Sequence, residues 1–125
     1  MAQQALSEKL QLKSGENLRL LGVPENLMAP LGGLGADRNA RGVLVFVRNS
    51  AEVAGAVNEI ADAAATPDGL AWAAYPKRDS GIDTDLTRDR GWEPLAEAGL
   101  RPVRQVALDE KWSALRFRRV EQTGS

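Results

Sequence analysis

Two uninterrupted apolar runs and one periodic stretch between them organise the middle of this chain. Gly42–Val47 (GVLVFV) and Leu70–Tyr75 (LAWAAY) are too short for helices of ordinary length and carry no polar alternation. Runs of this kind, bounded by turn residues, are strands buried on both faces. Between them, Val53, Val57, Ile60 and Ala64 recur at helical spacing, while Glu52, Glu59 and Asp62 fall away from that stripe. Asn49 stands where an N-cap belongs, and Glu52 follows three residues later, close to a capping box. Thr66-Pro67-Asp68-Gly69 ends the helix and returns the chain to the second run. The pattern predicts a β-α-β unit with parallel strands.

The flanks are less regular. Residues 1–14 read as a polar tail with a short amphipathic helix whose apolar contacts are Leu6, Leu10 and Leu12. Asn17–Val23 (NLRLLGV) predicts a first strand, and Pro24 opens a short helix to Leu31. Residues 32–42 are glycine-rich and polar. After the Leu70–Tyr75 strand, Thr84–Arg90 predicts a helical turn or two. A further short helix has Pro94 near its start and Gly99 just past its end. Pro102–Leu108 and Trp112–Arg119 predict a hairpin around Asp109-Glu110-Lys111, its last strand inward on the side of Ser113, Leu115 and Phe117 and wet on the other. The expectation is one α/β domain over residues 15–120: about five strands, three parallel plus a C-terminal antiparallel hairpin, flanked by helices, with a disordered tail at 121–125.

Composition narrows the chemistry. The 125 residues contain no cysteine and no histidine. That removes disulfides, thiolate and imidazole catalysis, and zinc sites built on sulfur or imidazole. No cofactor is predicted and no metal site. With a formal net charge of −1, a dedicated nucleic-acid binder is not expected. No run approaches the ~20 apolar residues of a membrane span and no signal-peptide pattern is seen, so a cytoplasmic protein without a membrane partner is expected. Residues 101–119 are rich in arginine, which reads either as protection of a hairpin edge or as an anion-attracting stripe.

In open α/β sheets, ligands bind beyond the carboxyl ends of the strands. The loop after Tyr75 is therefore the candidate site. Lys77 either holds a phosphate or carboxylate, or caps the strand end and pairs with an aspartate. Asp83, Thr84 and Asp85 are helix caps by default, and catalytic only if a substrate lies between them and Lys77. Ser80 with Gly81 makes a tight turn that also suits an anion. Tyr75 can bring its hydroxyl to the cleft mouth, and Trp112 beside Ser113 either stacks on a flat ligand or closes the core. Arg88 and Arg90 can bind an anion, unless Asp85 and Asp89 neutralise them.

The order of elements from Gly42 to Arg119 resembles the second half of a class I, Rossmann-like methyltransferase, with Asn17–Val23 standing for its first strand. The strings GLAWAAYPK, SGIDTDLTRD, AGLRPV and DEKWSALRFRR resemble a bacterial family of short Rossmann-like proteins, a domain of unknown function. The resemblance implies a degenerate methyltransferase-like fold and no particular activity. Where a methyltransferase needs a glycine-rich turn after its first strand, this chain has Leu21-Gly22-Val23-Pro24, with one glycine. Its acidic ribose contact has no counterpart, since two strands are missing. Methyltransferase activity is disfavoured. Two functions remain: a non-catalytic binding or interaction module, with a second copy of the chain as one candidate partner, and a small enzyme or sensor for an anionic or nucleotide-like molecule at the Lys77–Asp85 loop.

Overall fold

In the computed structural model, residues 6–12, 16–31, 41–65, 69–77, 80–82, 84–87 and 90–119 are described. The elements are α1 (Leu6–Lys9), β1 (Leu18–Leu21), α2 (Glu25–Leu31), β2 (Gly42–Phe46), α3 (Ser50–Ala65), β3 (Leu70–Pro76), α4 (Glu93–Glu97), β4 (Leu100–Ala107) and β5 (Trp112–Arg119). The strands form one mixed sheet in the order β1-β2-β3-β5-β4. β1, β2 and β3 are parallel, β5 runs antiparallel to β3, and β4 returns antiparallel along the outer side of β5.

Both faces of the central strands are covered, which explains their uninterrupted apolar sequences. On the first face, Val43 and Val45 of β2, Ala71, Ala73 and Tyr75 of β3, and Leu115 and Phe117 of β5 pack beneath α3 and α4. Val53, Ala56, Ile60 and Ala64 are the buried stripe of α3. On the second face, Leu44, Phe46, Trp72, Ala74, Trp112 and Ala114 pack against Leu27 and Leu31 of α2 and against Leu10 and Leu12 around α1. The Trp72 indole is fully buried and donates to the Leu10 carbonyl at 3.1 Å, tying the α1 segment to the middle strand. The alanines of β3 are the counterpart of this crowding, because small side chains let helices on both faces approach the sheet closely. Gly42 shows the same limit: a Cβ there would lie 1.8 Å from the Leu70 carbonyl oxygen across the β2–β3 pair.

Two expectations need correction. The described residues of Thr84–Arg90 form no helix: Thr87 and Arg90 exchange main-chain hydrogen bonds, and Gly91 follows with φ +95°. The side chains explain it, since the Thr84 hydroxyl accepts from the Leu86 N–H at 3.0 Å and fixes a local turn instead. The last strand is also not wet along one whole side. Because β5 lies between β3 and β4, Trp112 to Leu115 are buried on both faces, and only its far half, from Arg116, reaches solvent on the second face. The exposed edge belongs to β4, whose residues from Arg101 to Gln105 are all exposed.

Among the described residues, no helix is long and apolar enough to cross a membrane.

Candidate functional site

The carboxyl ends of the three parallel strands converge on one edge of the sheet, and the chain leaves that edge toward both faces. After β1 it passes to α2 on the second face; after β2 it passes to α3 on the first. The loop after β3 straddles the edge. Ile82 packs with the second-face cluster, whereas Leu86 packs with the first. Residues close together in this loop therefore end up on opposite sides of the sheet.

That crossing separates Lys77 from Asp85. The Asp85 carboxylate reaches the start of α3, where it accepts from the Ser50 N–H at 2.8 Å and from the Ser50 hydroxyl at 2.5 Å. These bonds, the hydroxyl's first, hold its carboxyl below the usual aspartate range. Beside it, Asn49 Oδ1 accepts from the Glu52 N–H at 3.0 Å as the N-cap, and Glu52 accepts from the Arg48 N–H at 2.7 Å. The reciprocal bond of this cap thus comes from one residue earlier than a standard capping box. The whole corner is spent on starting α3.

Lys77 has a different setting. It is half-buried at the end of β3, and its N–H donates to the Lys111 carbonyl at 2.8 Å, joining the strand end to the hairpin turn. With Lys9 and Lys111 it lines a concavity of about 540 Å³ floored by Ala107 and Leu108. Lys9 Nζ donates to the Ala107 carbonyl at 2.9 Å. Two acids, Asp109 and Glu110, share the rim. The Asp109 carboxylate turns back on the chain and accepts from the Lys111 and Trp112 N–H groups at 2.8 and 2.7 Å. Three lysines from three separate segments thus line one hollow.

The other sequence candidates do not join them. Tyr75 is buried on the first face, edge-on to Trp92, and its hydroxyl accepts from Gln105 Nε2 at 2.9 Å. It is a core residue, not one at a cleft mouth. Ser113 is its cross-strand partner and is equally buried. Trp112 is 2% exposed, edge-on to Phe46, with the Arg48 guanidinium 5.8 Å from its ring centroid, so it is packed in the core. The Ser80 hydroxyl accepts from the Ile82 N–H at 3.1 Å within its own turn. Asp83 and Arg88 lie outside the described residues.

A second hollow, about 400 Å³, opens between the carboxyl ends of β1 and β2, with Leu21, Gly22, Phe46, Arg48 and Glu52 among its walls. It lies where neighbouring strands send their connections to opposite faces, the usual place for a crevice in an open α/β sheet. Its lining is mostly apolar, and Gly22 turns there with φ +71° and a Cβ position 3.1 Å from the Phe46 carbonyl oxygen.

Lys9 and Lys111 were not legible as site residues. Lys111 sits in a predicted turn and Lys9 in a predicted amphipathic helix; the pairing of β5 with β3 brings the first to Lys77, and the packing of α1 on the second face brings the other. Among the described residues no group of three or more acidic side chains is placed to hold a metal ion. Compared with protein-family models, with curated proteins and with solved structures, this chain matches none.

Proposed function

We propose that this chain is a non-catalytic binding module, built on a degenerate Rossmann-like sheet, that holds an anionic small molecule in the lysine concavity. The observation that carries the reading is the convergence of Lys9, Lys77 and Lys111 on one hollow of ligand size. Lysine suits this task as a compact, rotatable charge for phosphate or carboxylate oxygens. Of the two acids that line the hollow, Asp109 accepts from the Lys111 and Trp112 main-chain N–H groups.

Several features speak for binding without chemistry. Lys77 and Asp85, the pair that could have moved a proton between them, are on opposite sides of the edge. The hydroxyls of Ser80 and Thr84 are held in local turns. The strand order, with parallel strands followed by an antiparallel hairpin whose last strand inserts beside β3, supports a relation to the second half of a class I methyltransferase sheet. The turn after β1 supports loss of that activity: it has Gly22 alone, followed by Val23 and Pro24.

The test is a thermal-shift titration with inorganic phosphate, pyrophosphate, sugar phosphates and nucleotides. A ligand at ~100 times its dissociation constant adds about 2.7 kcal/mol of stability. The reading requires a shift from at least one phosphorylated compound that Lys77→Ala removes. A flat panel, or a shift that survives Lys77→Ala combined with Lys111→Ala, overturns it.

A further inference from the structure

A bulge gathers four arginines on one side of the outermost strand pair. Arg101 and Arg104 are three residues apart, and in a regular strand an odd spacing sends side chains to opposite faces. In β4 the register shifts: Pro102 faces Phe117, yet Arg104 faces Arg116, so Val103 is an extra residue. Arg101 then stands opposite Arg118, and Arg104 opposite Arg116. Arg116 and Arg118 are two apart and share the face of Ala114, the second face of the sheet. The bulge thus turns two arginines of β4 and two of β5 the same way.

Like charges directly opposite each other in a sheet repel. Here two such pairs occupy neighbouring rungs, and Arg101, Arg104 and Arg118 are exposed. Among the described residues, none of these three is joined to a carboxylate. Arg116 donates to Gln11 Oε1 at 2.6 Å. Among the described residues β4 ends the sheet, and no strand lies along its outer side.

We propose that the outer edge of β4 accepts an acidic, extended segment of a partner protein as an added strand, with carboxylates at alternate positions over the arginine face. An added strand supplies main-chain hydrogen bonds to an open edge, and alternate side chains supply specificity. Side chains two residues apart in a strand project from one face about 7 Å apart, the spacing between the arginine rungs. A second copy of the chain is the wrong occupant, because pairing β4 with itself brings these cations together. Single-stranded nucleic acid is also disfavoured. It needs aromatic platforms for its bases, and the rings of the second face, Phe46, Trp72 and Trp112, are all buried.

The test uses the full chain and fluorescein-labelled octapeptides. One alternates Glu and Val, a second holds the same residues in two blocks, and a third replaces Glu by Lys; a single-stranded oligothymidylate is the fourth probe. Fluorescence anisotropy gives affinity, and amide hydrogen exchange reports protection of β4. The alternating acidic peptide is expected to bind best, to protect β4 amides, and to lose about tenfold or more in affinity against R101E/R104E. Both positions are exposed, and the variant places Glu opposite Arg118 and Arg116, so its melting temperature should hold or rise. Failure of the alternating peptide to bind, equal binding of the block peptide, undiminished binding to R101E/R104E, or tighter binding of the oligothymidylate each overturns the proposal.

Discussion

Two corners of the same sheet edge treat their polar residues in opposite ways. At the β2–α3 corner, Asn49, Ser50, Glu52 and Asp85 hydrogen-bond one another or the first amides of α3. At the corner between β3 and the hairpin turn, Lys77 and Lys111 use their main chains to hold the turn, and both residues line a hollow. The first corner starts a helix, and its side chains are consumed in doing so. The second is held by the main chain and the Asp109 carboxylate, and neither Lys77 nor Lys111 spends its side chain on the turn. Position at the carboxyl edge does not by itself distinguish a ligand site; the way each polar group is satisfied does.

Substitutions should separate the corners. Trp112 connects them, since Arg48 of the first corner lies over its ring and its main-chain N–H donates to the Asp109 carboxylate of the second. Trp112→Ala is expected to cost about 3–5 kcal/mol and to remove the ring that Arg48 packs on, while keeping the main-chain bond to Asp109, measured by chemical denaturation. Lys77→Ala with Lys111→Ala should leave stability within about 0.5 kcal/mol. Phosphate-ligand affinity should nevertheless fall about a hundredfold, for two charge-assisted bonds of about 1.5 kcal/mol each. Calorimetric titration beside a melting curve reads both quantities. Asn49→Ala should do the reverse, removing about 1 kcal/mol of stability with ligand affinity intact.

The smallest effect expected is that of Asp85, and pH gives its sign. Its carboxyl titrates below the usual aspartate range in the folded protein because the charged form accepts from Ser50. Its contribution is therefore fully present above the ordinary aspartate pKa and is lost as pH falls through the lower, folded value. Asp85→Asn should lower the melting temperature slightly at neutral pH, and the gap should close in strong acid. A gap that persists or widens in acid would mean that the charge at this corner is not what holds Ser50.

The parallel core was legible because burial on both faces leaves a plain signature. Gly42–Val47 and Leu70–Tyr75 read as strands without help from their neighbours, and Asn49 and Gly99 marked helix ends by chemistry that acts within a few residues. The site was legible only as a place. Lys77 could be picked out from the strand that ends beside it, but its companions come from segments 68 residues before and 34 after, and no local pattern encodes that meeting. The 77–87 loop misled for the same reason. Its polar residues form a cluster in sequence, while Ile82 and Leu86 anchor it to opposite faces and pull that cluster apart. The arginines of β4 were visible as a charged run, yet their shared face depends on one bulged residue, Val103, whose sequence carries no mark of it.

The order β3-β5-β4 has a consequence for synthesis on the ribosome. The strand that completes the sheet is the last made, and it enters between two that already exist. Until Trp112–Arg119 emerges, β3 presents a bare edge of alanines and a tryptophan, and β4 has nothing to pair with. For that interval the nascent chain holds the apolar, unpaired strand edge that aggregation exploits. A truncation anywhere before Trp112 would make that passing state permanent.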